Sequence, residues 1–269
     1  MGIVANLIKQ AEENGYNGDN ATAKVCQDII LKAIAESDLS RNVTIKGGVV
    51  MREITSDVRR ATQDMDIDFI RYSLSDESID SFIMRINALE DVVIQRVGDI
   101  TELSQQDYHG KRVNIIVTDS DGISLRSKID FGVHTRLSIE QEEFCFDVGI
   151  DYEGVSLLIN SKEQMFTEKL RSLLKFGAAS TRFKDVFDMY YLSSKISLET
   201  LRECIDEYII NDKGMKEEYY QDIINRMEKT FSNRRYLERL SDSGKNWLDV
   251  ETETVLSELL DCLRKLADQ

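Results

Sequence analysis

The sequence predicts an α+β fold in which a mixed β-sheet core is followed by a helical C-terminal region. Apolar residues recur at helical spacing in residues 1–40 and again from Ser161 onward. Residues 42–150 hold short β-like apolar runs, which turn signals such as Gly47-Gly48 and Asp121-Gly122 separate. The chain has 269 residues, 42% of them hydrophobic and none of them proline, so it can bury a sizeable core.

The predicted elements follow this division. Ala21–Ala35 is expected to be a helix because Val25, Ile29, Ile30 and Ile34 share one face. The expected strands are Val43–Ile45, Ile67–Ile70, Val92–Val97, Val113–Val117 and Leu125–Val133, with a helix over Asp76–Leu89. A capping box at Ser161–Gln164 opens the helical part, followed by helices over Ser197–Ile210, Glu217–Phe231 and Thr252–Ala267. We therefore expect N-terminal helices (1–38) that pack on an α/β core (39–155), and a helical domain (156–269).

Composition excludes several classes of protein. The net charge of −15 opposes indiscriminate binding to nucleic acid or anionic membranes. The four cysteines are scattered without a CxxC pair, which argues against a zinc site or a disulfide scaffold. No apolar run is long enough for a membrane span or typical of a signal peptide, so a cytoplasmic location is expected.

An alternating run of aspartates is the first candidate for chemistry. If residues 64–70 enter a strand, Ile67 and Phe69 point into a core while Asp64, Asp66 and Asp68 share the opposite face. Carboxylates crowded in this way favour a divalent cation such as Mg²⁺, although a solvated edge strand is the alternative interpretation. An EF-hand loop is excluded, because its glycine position holds Phe69 and its final glutamate position holds Ser75.

A second strand carries another aspartate on its polar face. Along Leu125–Val133, Ile129 and Phe131 alternate with Lys128 and Asp130. If this strand neighbours the first, Asp64, Asp66 and Asp130 converge and form a site that can hold two metal ions.

A glycine pair is predicted to approach an anion. Gly47-Gly48 follows the strand Val43–Ile45 and precedes a short helix over Val49–Thr55. Glycines at such a turn let backbone N–H groups approach phosphate at a helix N-terminus. The pair alone is a weak signal, and it is neither a Walker A motif nor a dinucleotide fingerprint.

The helical part contributes a lysine on an apolar face. Lys169 lies within the stripe formed by Phe166, Leu170 and Leu173, where a cation needs a partner. Either a structural ion pair or a nucleotide phosphate would serve. Asp185 and Asp188 follow on the next helix, and spacing alone does not decide between them.

The order of these motifs resembles a known family. The order is strand, glycine pair, helix, DxD strand and later Asp strand, as in nucleotidyltransferases of the DNA polymerase β type. More narrowly it is similar to the AbiEii/AbiGii-type toxins. The matching stretches are Arg60-x-Thr62-x-Asp64-x-Asp66-Ile67, then Glu168-Lys169-Leu170-Arg171, then Arg182-Phe183-Lys184-Asp185 through Leu192. The gap from Gly48 to Asp64 is longer than in the family, which implies an insertion.

The resemblance, which covers roughly residues 40–195, implies a reaction and a set of residues. Asp64, Asp66 and Asp130 would bind Mg²⁺, with Mn²⁺ as an alternative, and Asp130 would help to deprotonate the acceptor. The resemblance further implies nucleotide-binding residues (Gly47, Gly48, Arg60, Thr62 and Lys169), a catalytic Lys169 and Asp185, and secondary candidates (Lys46, Asp68, Arg171, Arg182 and Asp188). It implies an NTP substrate, an RNA acceptor such as a tRNA 3′ end, and a cognate antitoxin.

Other functions stay open from the sequence. The acceptor could be a small molecule of aminoglycoside type or a protein side chain, or the chain could be a catalytically silent nucleotide-binding module. Two segments are locally basic: residues 41–62 hold five basic and two acidic residues, and residues 156–195 hold seven and four. Basic segments in an acidic chain favour uptake of an NTP and one RNA end over binding of extended nucleic acid.

Overall fold

The computed structural model describes residues 2–103 and 110–267. It consists of two units, residues 1–160 with the sheet and residues 161–269 with helices. The prediction of an α+β fold with a mixed sheet and a helical C-terminal region is confirmed. The first unit ends at Asn160, after a last strand, Val155–Ile159, that pairs within the sheet.

The sheet of the first unit is mixed. Its strands in the described chain are β1 (Val43–Lys46), β2 (Met65–Phe69), β3 (Val92–Glu102), β4 (Lys111–Asp119), β5 (Ser124–Val133), β6 (Glu142–Phe146) and β7 (Val155–Ile159). They are ordered β3-β4-β5-β2-β1-β7-β6. This order places β1, β2 and β5 at the centre of the sheet. The pairs β2–β5 and β1–β7 are parallel, and the other neighbouring pairs are antiparallel.

Helices and an aromatic core fix the central strands. The helices of this unit are α1 (Val4–Glu13), α2 (Gly18–Glu36), α3 (Gly47–Thr55) and α4 (Asp76–Arg85), with a 3₁₀ turn at Val58–Arg60. Phe69 of β2, Phe131 of β5 and Phe82 of α4 are fully buried, with ring centroids 5.1–5.5 Å apart. Because side chains alternate along a strand, the neighbours of Phe69 in β2 and of Phe131 in β5 point to the opposite face of the sheet. That face carries the predicted aspartates.

The second unit is built from helices. They are α5 (Lys162–Phe176), α6 (Phe183–Ser193), α7 (Leu198–Ile205), α8 (Tyr220–Phe231), α9 (Arg234–Asp242) and α10 (Thr252–Ala267). Ser161 caps α5 as expected, since its Oγ accepts a hydrogen bond from the backbone N–H of Gln164 at 3.1 Å. The element α5 packs on α6 and α7, and α10 packs on α6 and α8.

The secondary structure differs from expectation at several places. Strands β6 and β7 and helix α9 were not predicted, and the helix predicted over Asp76–Leu89 ends at Arg85. Beyond Ile205, the segment predicted as one helix continues as a π-helical turn, Asp206–Ile210. Among the helices of the described residues, none has the length and apolar character needed to cross a membrane.

Candidate functional site

Two predicted carboxylates lie side by side in the centre of the sheet. Asp66 of β2 is directly opposite Asp130 of β5 in the parallel register. Asp64 precedes β2 by one residue and its side chain is about half exposed, at 46%. The aromatic core lies behind these strands, so the strand alternation directs Asp66 and Asp130 to the opposite face of the sheet.

An arginine that the sequence reasoning missed is bound to one of these carboxylates. Arg112 of β4 is directly opposite Asp130 in the antiparallel register. Its Nε lies 2.7 Å from Asp130 Oδ1 and its Nη2 lies 2.8 Å from Oδ2, a two-point ion pair. The hydrogen bonds to Asp130 and the charges of Asp64 and Asp66 raise the pKa of Arg112 above its usual range. The acidic face therefore includes its own cation.

The secondary candidates Lys46 and Asp68 form a buried pair. Lys46 Nζ lies 2.8 Å from Asp68 Oδ1, and the two side chains are 6% and 7% exposed. Lys46 is also opposite Asp66 in the β1–β2 register. We interpret Asp68 as the counter-ion of Lys46 rather than as a further metal ligand, since a buried cation must be paired.

The glycine pair lies against the site residues. Gly47 begins α3 with φ +66°, and a Cβ there would lie 2.1 Å from Asp66 Oδ2. A Cβ on Gly48 would lie 2.5 Å from Thr62 Oγ1. The backbone at the glycine pair therefore lies close to Asp66 and Thr62, and both positions exclude larger residues.

The segment that carries Thr62 and Asp64 is held from α2. Gln27 Nε2 donates hydrogen bonds to the backbone oxygens of Thr62 (3.1 Å) and Asp64 (3.4 Å). The side chain of Gln27 is fully buried and its Oε1 accepts a hydrogen bond from Arg52. Sequence reasoning gave no signal for Gln27, because the site atoms it contacts are backbone oxygens more than 30 residues away. Arg60, at the start of the segment, is buried in the 3₁₀ turn.

In the second unit, Lys169 joins two buried carboxylates. Its Nζ donates hydrogen bonds to Asp185 Oδ1 (2.9 Å) and Asp188 Oδ2 (2.8 Å). Trp247 Nε1 donates to Asp188 Oδ1 at 3.1 Å, and Arg182 pairs with Asp185. Spacing left open which of Asp185 and Asp188 contacts Lys169, and in the structure both do.

The pKa of Asp185 reflects this neighbourhood. Burial by itself would raise it, but the positive charges and hydrogen bonds of Lys169 and Arg182 outweigh burial and lower it from 3.8 to about 2. The carboxylate is therefore ionised at neutral pH. Another secondary candidate, Arg171, pairs with Asp212 at 3.1 Å and donates to the backbone oxygen of Tyr208, which is a structural role within this unit.

The basic segment 41–62 is largely neutralised by its neighbours. Its ion pairs are Arg41–Glu143, Lys46–Asp68, Arg52–Asp28, Arg52–Glu53 and Arg59–Asp57. The residue count in the sequence therefore overstates the positive potential that this segment offers to an anionic ligand.

The carboxylate oxygens of Asp64, Asp66 and Asp130 are chemically suited to a hard divalent cation, but they are not arranged around a common point. Carboxylate oxygens are the ligands that Mg²⁺ prefers. Among the residues that the structure describes, no group of three acidic, histidine or cysteine side chains has the geometry of a metal site. The guanidinium of Arg112 engages both oxygens of Asp130.

Comparison with known proteins identifies the family. The model of the family described as nucleotidyl transferase AbiEii toxin, type IV TA system, matches residues 29–254. No curated protein matches the chain. Among solved structures, the chain is similar to an antigenic nucleotidyltransferase-like protein from Paracoccidioides brasiliensis, with 13% identity and a TM-score of 0.47, over 87% of this chain and 95% of that one. Likeness at this level adds nothing to the assignment. Since the family model spans most of the sequence, the chain belongs to the AbiEii family of nucleotidyltransferase toxins of type IV toxin–antitoxin systems and is a nucleotidyltransferase.

Proposed function

We propose that the enzyme transfers a nucleoside monophosphate from an NTP to a hydroxyl of RNA, such as a tRNA 3′ end, with release of pyrophosphate. The observation that carries the proposed transfer reaction is the pair Asp66 and Asp130, opposite each other on parallel strands with Asp64 adjacent. The RNA acceptor is proposed from the family resemblance. Family membership supports the class of reaction. We further propose a cytoplasmic location and a cognate antitoxin as partner.

Asp64, Asp66 and Asp130 are the proposed ligands of Mg²⁺, with Mn²⁺ as a substitute. The bound cation would neutralise charge on the triphosphate and increase the acidity of the acceptor hydroxyl. The carboxylate of Asp130, on the central strand β5, is proposed to help take up the proton of that hydroxyl.

The proposed nucleotide contacts come from the segments around the carboxylates. Gly47 and Gly48 begin α3, and the free N–H groups at a helix N-terminus are suited to bind phosphate oxygens. Thr62 offers a hydroxyl and Arg60 a cation for the same purpose. Catalysis in this account is mostly positioning and charge neutralisation.

Roles for Lys169 and Asp185 in the reaction rest on the family resemblance. Their contacts within the second unit explain them equally well as a structural ion pair. We propose that Lys169 binds a nucleotide phosphate and that Asp185 orients the lysine. A functional role predicts that Lys169→Arg lowers transfer while leaving the fold intact, because an arginine keeps the charge but not the geometry.

The test is a transfer assay that separates the acceptors. The protein is incubated with Mg²⁺, each α-labelled NTP in turn, and total RNA, protein and small-molecule fractions. We expect label in RNA, and the label should disappear with EDTA and in Asp66→Asn. Label only in a small-molecule fraction, as for an aminoglycoside, or only in protein would contradict the RNA acceptor. Nucleotide binding without transfer to any fraction would indicate a silent module.

A further inference from the structure

Four charged residues form one row across the centre of the sheet. Arg112 on β4 is opposite Asp130 on β5, Asp130 is opposite Asp66 on β2, and Asp66 is opposite Lys46 on β1. Residues opposite one another in a sheet point to the same face. The row therefore reads positive, negative, negative, positive, with the proposed metal ligands between two cations.

The two cationic side chains, Lys46 and Arg112, differ in their exposure to solvent. Lys46 is buried, at 6% exposure, and pairs with Asp68. Arg112 has 35% of its side chain exposed, whereas its partner Asp130 is only 5% exposed. The side chain of Arg112 can therefore rotate into solvent, whereas the buried side chain of Asp130 cannot. The guanidinium is the member of this pair that can move.

The hydrogen bonds of Arg112 use the atoms that a metal would need. They engage both carboxylate oxygens of Asp130, at 2.7 and 2.8 Å. A divalent cation that takes an oxygen of Asp130 would also be repelled by a guanidinium held there. The metal and Arg112 are thus alternative partners of one carboxylate.

We propose that Arg112 is a built-in counter-ion that competes with the divalent cation for Asp130, so that metal binding requires Arg112 to release this carboxylate. This inference rests on the proposed metal site. It makes Arg112 a positioning residue: it holds Asp130 in place without the metal and lowers the affinity of the free protein for the cation. Its effect is therefore opposite in sign to that of the three aspartates.

The test is calorimetric titration of the full chain with Mn²⁺, in the absence of any nucleotide. Arg112→Gln should bind Mn²⁺ about tenfold more tightly or better, because the competing charge-assisted hydrogen bonds are gone. Arg112→Lys keeps the charge but loses the two-point geometry, so its affinity should lie between those of Arg112→Gln and the wild type. It serves as the second variant if Arg112→Gln does not fold.

A matched control removes a neighbouring charge from the same face. Lys128 Nζ lies 4.0 Å from Asp64 Oδ1, with the two side chains 51% and 46% exposed. Because this contact is screened by solvent, Lys128→Gln should change Mn²⁺ affinity far less than Arg112→Gln. Equal affinities of Arg112→Gln and Lys128→Gln, or no gain over the wild type in either Arg112 variant, would overturn the inference.

A further variant separates this inference from the proposed function. Asp66→Asn should abolish Mn²⁺ binding if the carboxylate site is correct. If Asp66→Asn abolishes binding but the Arg112 variants do not gain affinity, the competition is wrong and the metal site stands. If the wild type and the Arg112 variants all fail to bind Mn²⁺, the metal site is wrong and the inference falls with it. Thermal unfolding gives a second readout. Without metal, Arg112→Gln should have a lower melting temperature than the wild type, and Mn²⁺ should raise the melting temperature of Arg112→Gln by more than it raises that of the wild type.

Discussion

Asp66 and Asp130 lie directly opposite each other on the parallel strands β2 and β5. Neighbouring strands are about 4.8 Å apart, so two carboxylates in register approach closely enough to share a cation. Behind them, Phe69 and Phe131 pack with centroids 5.1 Å apart, which ties the spacing of the acidic pair to the hydrophobic core. The site is thus built on rigid strands, as precise positioning of charge requires.

Gly47 should tolerate no side chain. At φ +66°, alanine is strained, and its Cβ would also collide with Asp66 Oδ2. We expect Gly47→Ala to lower the free energy of unfolding by about 1 kcal/mol or more from the backbone alone, and to lower Mn²⁺ affinity because Asp66 must shift. Chemical denaturation and calorimetry measure the two effects.

The control for this change is another glycine of the same unit. Gly122 has φ +84°, and no atom lies within 4 Å of the position of its Cβ. Gly122→Ala should show the backbone cost without the loss of Mn²⁺ affinity. Similar Mn²⁺ affinities in the two variants would disprove the steric argument for Gly47.

Gln27 should matter to the site although it carries no charge. Gln27→Leu removes the buried donor shared by the backbone oxygens of Thr62 and Asp64, and it removes the amide oxygen that accepts a hydrogen bond from Arg52. We expect a loss of about 1–3 kcal/mol in stability and a weaker metal site, since the segment that holds Asp64 is less fixed. The matched control is Gln63→Leu, because Gln63 lies in the same segment but is exposed and donates a surface hydrogen bond to Asn20. Equal losses from both substitutions would argue against the positioning role.

Removal of Lys169 should destabilise the second unit. Lys169→Met leaves Asp185 and Asp188 buried without their shared ammonium group, which costs about 3–5 kcal/mol. Arg234→Met is the control, because Arg234 and its partner Glu238 are exposed on α9 of the same unit and such pairs contribute little. Trp247, the only tryptophan in the sequence, lies in this unit, so its fluorescence reports the unfolding. A loss no larger than that of Arg234→Met would show that the buried ion pair is not needed for stability.

The ionisation of Asp185 should give the second unit an acid dependence. Its pKa is lowered from 3.8 to about 2 in the folded chain, so the folded state favours the carboxylate. The resulting stabilisation, about 2 kcal/mol, is fully present above pH 4 and is lost as the pH falls toward 2. Denaturation followed by Trp247 fluorescence should show this decline, and Asp185→Asn should reduce it. An unchanged decline in that variant would assign the acid dependence to other groups.

The sequence could predict what depends on local pattern. The alternation around Asp66 and Asp130 requires one apolar and one polar face, and the structure has both strands in that orientation. The helix at Lys162–Phe176 was likewise predictable because the capping residue Ser161 and its partner Gln164 are three positions apart.

Contacts that depend on strand order and register could not be predicted from the sequence. Arg112 meets Asp130 only because β4 lies next to β5 in one particular register, and a shift by one residue would point Arg112 to the other face. Lys46 was a secondary site candidate, and its pairing with Asp68, 22 positions away, depends on the β1–β2 register and could not be predicted from the sequence. Gln27 bonds to backbone atoms, which no residue type in the sequence marks.

The most direct test of the account is the initial rate of label transfer from α-labelled NTP to RNA by Asp66→Asn and Asp130→Asn. Asp38→Asn is the control, since Asp38 forms an exposed ion pair with Arg85 in the same unit. We predict that both site variants lose at least about a hundredfold in rate while remaining folded, and that Asp38→Asn keeps the wild-type rate. A folded Asp66→Asn variant that transfers label as fast as Asp38→Asn would contradict the assignment of this acidic pair to catalysis.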